Sequence, residues 1–210
     1  MDYVAKTIEA YDKSPDKYGS ATLDMANLPE MEIMGTYLPS AELPILDVGC
    51  ANGRDTKILH DMGYKTVGID MSREFLKQAQ QSHPELDFRY MDVRKLDFED
   101  ASFGAVWCSA VLLHLNQADL AKALQEIKRV LVARGVVALS FKKGEGEKEV
   151  LETFSSELAR YYNFQTQNSL NALLANAGFV VRRSHDINEQ ERFGPHKRNL
   201  DWVWSFATKP

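Results

Sequence analysis

Between Leu43 and Phe141, short apolar runs rich in β-branched residues alternate with segments whose apolar residues recur at helical spacing, and few folds accommodate that alternation. LPILDVG (43–49) ends in glycine and is followed by RDTKILHDMG, closed by Gly63. KTVGID (65–70) ends on an acid. SREFLKQAQQSH then places Ser72 as N-cap, Phe75, Leu76 and Ala79 on one face, and Pro84 as a stop. LDFRYMDV (86–93) alternates as a strand does, and FGAVWCSA (103–110) is the continuous apolar run of a strand buried on both faces. QADLAKALQEIKRVLVARG (117–135) predicts an amphipathic helix with Leu120, Leu124, Ile127 and Leu131 inward and Gly135 as its C-cap; VVALSF (136–141) predicts a fifth strand. Strands and helices in alternation imply an α/β chain: a Rossmann-like, mostly parallel sheet with helices on both faces.

The flanks complete the expectation. Residues 1–40, broken by Pro15, Pro29 and Pro39, predict a cap of short helices and loops, and 41–210 a single domain. After Phe141, KKGEGEKE reads as a loop, EVLETFSSELARYY (149–162) as a helix, and SLNALLANAGF (169–179) as a second helix ending at Gly178. VVRRSHDI and LDWVWSFATK supply sixth and seventh strands with no helix between them, so the last strand is expected to run antiparallel. The sheet is therefore expected to be seven-stranded.

Composition narrows the function classes. Of the 210 residues, 25 are basic and 30 acidic, a formal charge of −5, which argues against bulk nucleic-acid binding although Arg192–Arg198 forms a basic cluster. No apolar run approaches the ~20 residues that cross a bilayer, so no membrane association is expected. The N-terminal segment has no apolar run of the signal-peptide kind. Two cysteines, Cys50 and Cys108, make neither a disulfide framework nor a zinc site, and no other metal site is evident. A cytoplasmic location is expected.

In an open parallel sheet, ligands bind at the carboxyl ends of the strands near the point where strand order reverses. The first strand ends in Asp47-Val-Gly49-Cys50-Ala51-Asn-Gly53, whose small residues let the backbone turn tightly beside a ligand. The second ends at Asp70, placed to accept both hydroxyls of a ribose, and the third at Asp92-Val93, suited to an adenine amine and ring face. Each alone has a bland reading: a packing turn, a helix-start acid, a solvated loop acid. Together they point to an adenosine-bearing cofactor. Arg54 stands where a dinucleotide fingerprint has its third glycine, and Asp47 would repel a pyrophosphate but suits a sulfonium or ammonium, which favours S-adenosylmethionine. On that reading, removing Asp70 costs cofactor affinity and leaves the stability of the ligand-free protein nearly unchanged.

The segment Leu46–Asp55 resembles the first motif of class I S-adenosylmethionine-dependent methyltransferases, Gly68–Ser72 their second-strand acidic motif, and Met91–Val93 their adenine contact. Leu124–Leu131 resembles the helix before their fifth strand. Within that superfamily, Ala105–Leu115 and Ser140–Glu147 resemble a bacterial group of small enzymes similar to tellurite-resistance methyltransferases. The resemblance implies S-adenosylmethionine as cofactor and S-adenosylhomocysteine as product. Gly49 and Ser109 would hold the methionine amine, with Asp47 orienting that end electrostatically. Cys50, Ala51 and Gly53 would form the turn along the cofactor, and Met71 would pack on adenine beside Asp70, with Asp92 and Val93 closing the pocket. Ala51 replaces the family's middle glycine, which a negative φ would tolerate.

Methyl transfer is an in-line displacement in which alignment and exclusion of water matter most. The acceptor is expected to be a small polar molecule in a cavity bounded by Tyr11 or Tyr18, Arg54, His114 and the 142–147 loop. His114, Tyr11 and Tyr18 are the candidate catalytic side chains, although packing or capping would equally explain His114. Trp107 and Cys108 read as core, the latter an inert thiol. Cys108-Ser-Ala-Val occupies the place where one class of nucleic-acid and amide N-methylases carries Asn/Asp-Pro-Pro-aromatic, so that class is disfavoured. The alternatives are a tRNA or protein methyltransferase, which needs a contiguous basic surface, and a non-catalytic cofactor-binding protein, which predicts a closed acceptor cavity. The oligomeric expectation is a monomer or weak homodimer.

Overall fold

The central strands are apolar on both faces, and their period-two alternation divides the core in two. A computed structural model describes residues 2–151 and 158–210. Its strands are β1 (Ile45–Val48), β2 (Thr66–Asp70), β3 (Asp87–Tyr90), β4 (Phe103–Cys108), β5 (Leu131–Lys142), β6 (Glu147–Leu151), β7 (Ala159–Asn163), β8 (Val180–Asn188) and β9 (Asp201–Thr208). Seven of them form one sheet in the order β3-β2-β1-β4-β5-β9-β8; the first five are parallel, and β9 runs antiparallel to both its neighbours. The seven-stranded, mostly parallel sheet with an antiparallel last strand is as the sequence predicts.

Among the described residues, eight α-helices flank the strands: α1 (Tyr3–Asp12), α2 (Pro15–Thr22), α3 (Leu28–Tyr37), α4 (Arg54–Asp61), α5 (Arg73–Ser82), α6 (Gln117–Val130), α7 (Gln167–Asn176) and α8 (Glu189–Phe193). On one sheet face, Leu46, Val106 and Val137 pack with Leu120, Leu124 and Ile127 of α6 and Leu170 and Leu174 of α7. On the other, Ile45, Ala105, Trp107 and Val136 pack with Met31 and Met34 of α3 and Leu59 of α4. Within the first 40 residues, α3 is thus a layer of the core, while α1 and α2 lie over the strand ends. Trp107 is fully buried, with its indole N–H donating to Asp55 Oδ2 at 3.0 Å, and Cys108 is buried with its thiol pushed up by desolvation.

Three local expectations are corrected. The helix expected over 117–135 stops at Val130: Leu131 is already strand, paired with Phe103. Gly135 is not a C-cap; a Cβ there would lie 2.9 Å from the Val132 carbonyl and 3.1 Å from that of Gly104, so glycine serves a close backbone approach. The expected helix over 149–162 is instead a hairpin, β6 against β7, with residues 152–157 of that segment outside the described residues. The third correction is small: the short α8 sits between β8 and β9.

Candidate active site

The order of the sheet reverses at β1, which lies between β2 and β4, and the loops leaving these strands converge there. Gly49 opens the turn with φ +69, its N–H donating to the Ile69 carbonyl at 2.7 Å; a Cβ on it would meet Val111 Cγ2 at 2.2 Å. Cys50 N–H donates to the same carbonyl at 3.0 Å. Ala51 is left-handed, with φ +47, so the condition under which its methyl group would be tolerated without strain is not met. That conformation lets its N–H donate to Asp70 Oδ2 at 2.9 Å, while Ser72 N–H donates to Asp70 Oδ1 at 2.8 Å. Gly53 caps α4 with φ +84 and packs against Phe88 and Ala79.

Two adjoining cavities open from this turn, of about 810 and 930 Å³ counting their mouths. The first is lined by Val48, Ile69, Asp70, Met71, Asp92 and Val93 from the strand ends, and by Val4, Ile8 and Tyr11 from α1. The second is lined by Asp47, Arg54, Asp55 and Ser140 at the strand ends. Lys142, Arg160, Tyr162, Arg198 and Trp202 line it from β5, β7 and the chain around β9. They share a wall that includes Tyr11, Tyr18, Gly49, Ala51, Ser109 and His114. Gly53 lines neither.

The electrostatics of the two cavities differ. Burial raises Asp70, and its two backbone donors oppose that rise. Two of its ~four acceptor sites are taken by those donors, leaving others for a ligand. Asp92 reaches the same cavity already held by Arg94, whose Nη2 lies 2.7 Å from Oδ2 and whose backbone N–H lies 2.9 Å from Oδ1. In the second cavity, burial and the neighbouring Asp55 push Asp47 up to about 8, although Thr56 Oγ1 donates to it at 2.6 Å. Burial, followed by the charges of Arg198 and Arg160, brings Lys142 down to about 7.

His114 follows β4 in a single 3-10 turn, and its hydrogen bonds fix its tautomer. Nδ1 lies 2.7 Å from the Tyr161 carbonyl, which can only accept, so Nδ1 carries the proton. Nε2, 2.9 Å from Tyr11 Oη, therefore accepts the Tyr11 hydroxyl proton. Burial drives His114 down to about 3. Its lone pair is thus engaged and weakly basic, while Tyr11 is raised by burial and packs edge-on against Tyr18 at 5.2 Å.

Sequence reasoning missed Arg160, Arg198 and Trp202, and gave Tyr162 chiefly a packing role with lining of the pocket as the lesser alternative. A strand reading of Arg160-Tyr-Tyr162 would have put Arg160 and Tyr162 on one face, since side chains two apart share a face of a strand. The basic cluster at 192–198 is not a free surface. Arg192 pairs with Glu30 at 2.9 Å, Lys197 with Asp24 at 2.5 Å and Arg198 with Glu189 at 2.6 Å. Among the described residues no cluster of metal-ligating side chains is present, and no helix is long and apolar enough to cross a membrane.

The fold of the chain is similar to that of a solved S-adenosylmethionine-dependent methyltransferase of Methanosarcina mazei, with a TM-score of 0.73 at 21% identity over 84% of this chain and 96% of that one. Residues 46–139 match the family described as "Methyltransferase domain". The chain is 28% identical over 142 residues to the human eEF1A lysine and N-terminal methyltransferase, a match covering 65% of this chain and 20% of that protein. It thus spans about a fifth of that relative. A tRNA U34 carboxymethyltransferase of Nautilia profundicola is 24% identical over 97% of this chain and 69% of its own length. The crystal structure of a Burkholderia thailandensis 1,6-didemethyltoxoflavin-N1-methyltransferase, solved with bound 1,6-didemethyltoxoflavin and S-adenosylhomocysteine, superposes with a TM-score of 0.70 at 21% identity. That superposition covers 93% of this chain and 86% of that one.

Proposed function

We propose that the protein transfers a methyl group from S-adenosylmethionine to a small polar acceptor. The observation that carries this reading is the pair of cavities meeting at one wall. One presents the strand-end acids and apolar side chains suited to an adenosine, the other a polar enclosure for the acceptor. The bound cofactor supplies a methyl group already activated on a sulfonium. Asp70, held in place by Ala51 and Ser72, would accept from the ribose hydroxyls. Met71 and Val93 would flank the adenine, with Asp92 a shared acceptor beside Arg94. Gly49 and Ser109 would face the methionine end, where Asp47 would ionise against its positive charge.

With its Nδ1 proton fixed on Tyr161 and its Nε2 receiving Tyr11, His114 holds the Tyr11 ring at the shared wall. We assign His114 and Tyr11, with Tyr18 beside them, a positioning role that aligns the two ligands and excludes water; such alignment is the main source of acceleration in a displacement of this kind. The resemblance of Ala105–Leu115 and Ser140–Glu147 to the tellurite-resistance group belongs to this proposal and rests on those residues alone. The ion-paired 192–198 segment favours a small molecule over tRNA. The open polar second cavity favours catalysis over cofactor binding alone.

The test is calorimetry with S-adenosylhomocysteine, followed by a methyl-transfer assay with labelled cofactor over a metabolite panel and total tRNA. Binding of the product and transfer to a small molecule are expected. Transfer to tRNA alone would overturn the acceptor class, and tight binding of a nicotinamide dinucleotide without S-adenosylhomocysteine would overturn the cofactor.

A further inference from the structure

Where α2 hands over to α3, the fold leaves a buried polar atom without a partner. Asn27 is 9% exposed and lines the acceptor cavity, and among the described residues its side-chain carbonyl oxygen Oδ1 is buried with no hydrogen-bond donor. An internal use for that oxygen exists, and the backbone denies it. Asn27 is the N-cap of α3, where an asparagine oxygen ordinarily accepts from the second or third N–H of the helix. The second position is Pro29, which has no N–H. Asn27 has φ −90 and ψ 57 in place of the extended conformation usual for a cap, and its side chain makes no capping bond. The main chain holds it there. The Asn27 carbonyl accepts from Met31 N–H at 3.0 Å, and the Thr22 carbonyl accepts from Met25 N–H at 3.0 Å and from Arg54 Nη1. The amide is thus fixed beside the cavity with its oxygen unbonded.

The charged groups around the cavity are in a different condition. Arg54 pairs with Asp55 at 2.7 Å and Arg198 with Glu189 at 2.6 Å, Thr56 Oγ1 donates to Asp47 at 2.6 Å, and the Lys142 ammonium sits 4.0 Å from the centre of the Tyr162 ring. A ligand that competed with those pairs would gain little. At Asn27 it gains more, because a donor brought to a buried, unpaired oxygen relieves a desolvation cost that the folded protein already carries. A side-chain amide also bears N–H donors next to its carbonyl. Its full complement is therefore a group that offers a donor and an acceptor side by side, the arrangement through which asparagine reads the edge of a base. A ketone or ether presents acceptors alone and leaves the oxygen unpaired. The rings of Tyr162 and Trp202, which line the same cavity, suit a planar body.

We propose that Asn27 selects the methyl acceptor: its Oδ1 takes a hydrogen bond from an N–H of a planar molecule, and its Nδ2 returns one to the oxygen or nitrogen beside that N–H. This rests on the methyltransferase reading of the same site. The probes are benzamide, with N–H and carbonyl side by side, and acetophenone, which keeps the ring and carbonyl and lacks the N–H. Affinities are read by NMR titration of isotope-labelled protein with and without S-adenosylhomocysteine, the Asn27 side-chain signal being assigned by its loss in Asn27→Ala. In wild type, benzamide should move that signal and bind about tenfold more tightly than acetophenone, a difference of about 1.4 kcal/mol. Asn27→Ala should bring the two probes within about twofold of each other. Asn27→Asp, which keeps an accepting oxygen, should keep benzamide ahead and guards against misfolding of the alanine variant. Both variants should bind S-adenosylhomocysteine within about twofold of wild type. Absence of benzamide binding, equal binding of acetophenone by wild type, or an undiminished preference in Asn27→Ala overturns the proposal. Failure of S-adenosylhomocysteine to bind wild-type protein overturns the cofactor reading instead, and the ligand-free arm still compares the two probes.

Discussion

Asp70 shows how far a single residue could be read in advance and where reading stopped. Its position at the end of β2 was legible from the apolar run before it. The two backbone N–H groups it holds were not, because Ala51 reaches it only through a turn that long-range packing sets. Asp70→Ala is accordingly expected to do two things. Cofactor affinity, measured by calorimetry, should fall by at least about tenfold, and the ligand-free protein should also lose stability, by about 1–3 kcal/mol for the donors left without an acceptor. The Ala51 methyl sits at φ +47, where a Cβ costs about 1–2 kcal/mol. Urea denaturation should find Ala51→Gly more stable by about 1 kcal/mol, less whatever glycine adds to the unfolded chain's freedom. Asp47 titrates against the fold. Its carboxyl is raised to about 8, so between the ordinary carboxylate range and that value the folded state keeps a proton the unfolded state has lost. Stability therefore falls as pH rises through that window. Asp47→Asn should flatten the dependence of Tm on pH between about 4 and 8 in the ligand-free protein; an unchanged slope would show that the carboxyl ionises normally.

At the scale of elements, strand–helix alternation from 43 to 141 was legible because each strand is flanked by its own turn residues and buried on both faces. It failed where local preference and tertiary contact disagree. Leu131 extends the apolar stripe of α6 four residues beyond Ile127, yet pairing with Phe103 turns it into strand. Glu, Leu and Ala around 149–162 favour a helix. The structure instead builds a hairpin whose β7 meets α1: the Tyr161 ring packs at a tilt against Tyr3, 4.8 Å between centres, and the Tyr161 backbone N–H donates to Thr7 Oγ1 at 3.3 Å. Misreading that element hid half the acceptor wall, since Arg160 and Tyr162 belong to it. Tyr162→Ala tests the wall. Losing a cation–π surface worth about 0.5–2 kcal/mol should raise the acceptor KM about threefold or more, with S-adenosylhomocysteine affinity unchanged. A matching loss of cofactor affinity would place Tyr162 at the cofactor instead.

Across the whole molecule, residues far apart in sequence close the acceptor side, and this closure had no signature in local patterning. Glu30 of α3 is fully buried and accepts from Arg192 Nη1 at 2.9 Å, from Arg192 Nη2 at 3.0 Å and from His185 Nε2 at 3.1 Å. Nearby, Lys197 and His196 pair with Asp24 just after α2. The N-terminal helices are thereby tied to the segment between β8 and β9 that carries Arg198 and leads into Trp202. Burial pushes the Glu30 carboxyl up, but the His185 and Arg192 bonds outweigh it and hold it below its ordinary value. Its contribution to stability is then present above the ordinary carboxylate range and is lost as pH falls through the lower folded value. Glu30→Ala leaves a guanidinium without its buried acceptor and should cost about 3–5 kcal/mol at neutral pH. Against wild type, the deficit should narrow below about pH 4 as the wild-type carboxylate is protonated. Because the tie anchors the cationic side of the acceptor cavity and touches none of Asp70, Met71 or Val93, the same variant should raise acceptor KM more than cofactor Kd. Denaturation at pH 7 and pH 3.5, with both ligand affinities measured at a temperature where the variant is folded, decides the matter. Equal losses at the two pH values would make Glu30 a packing residue whose charge is incidental.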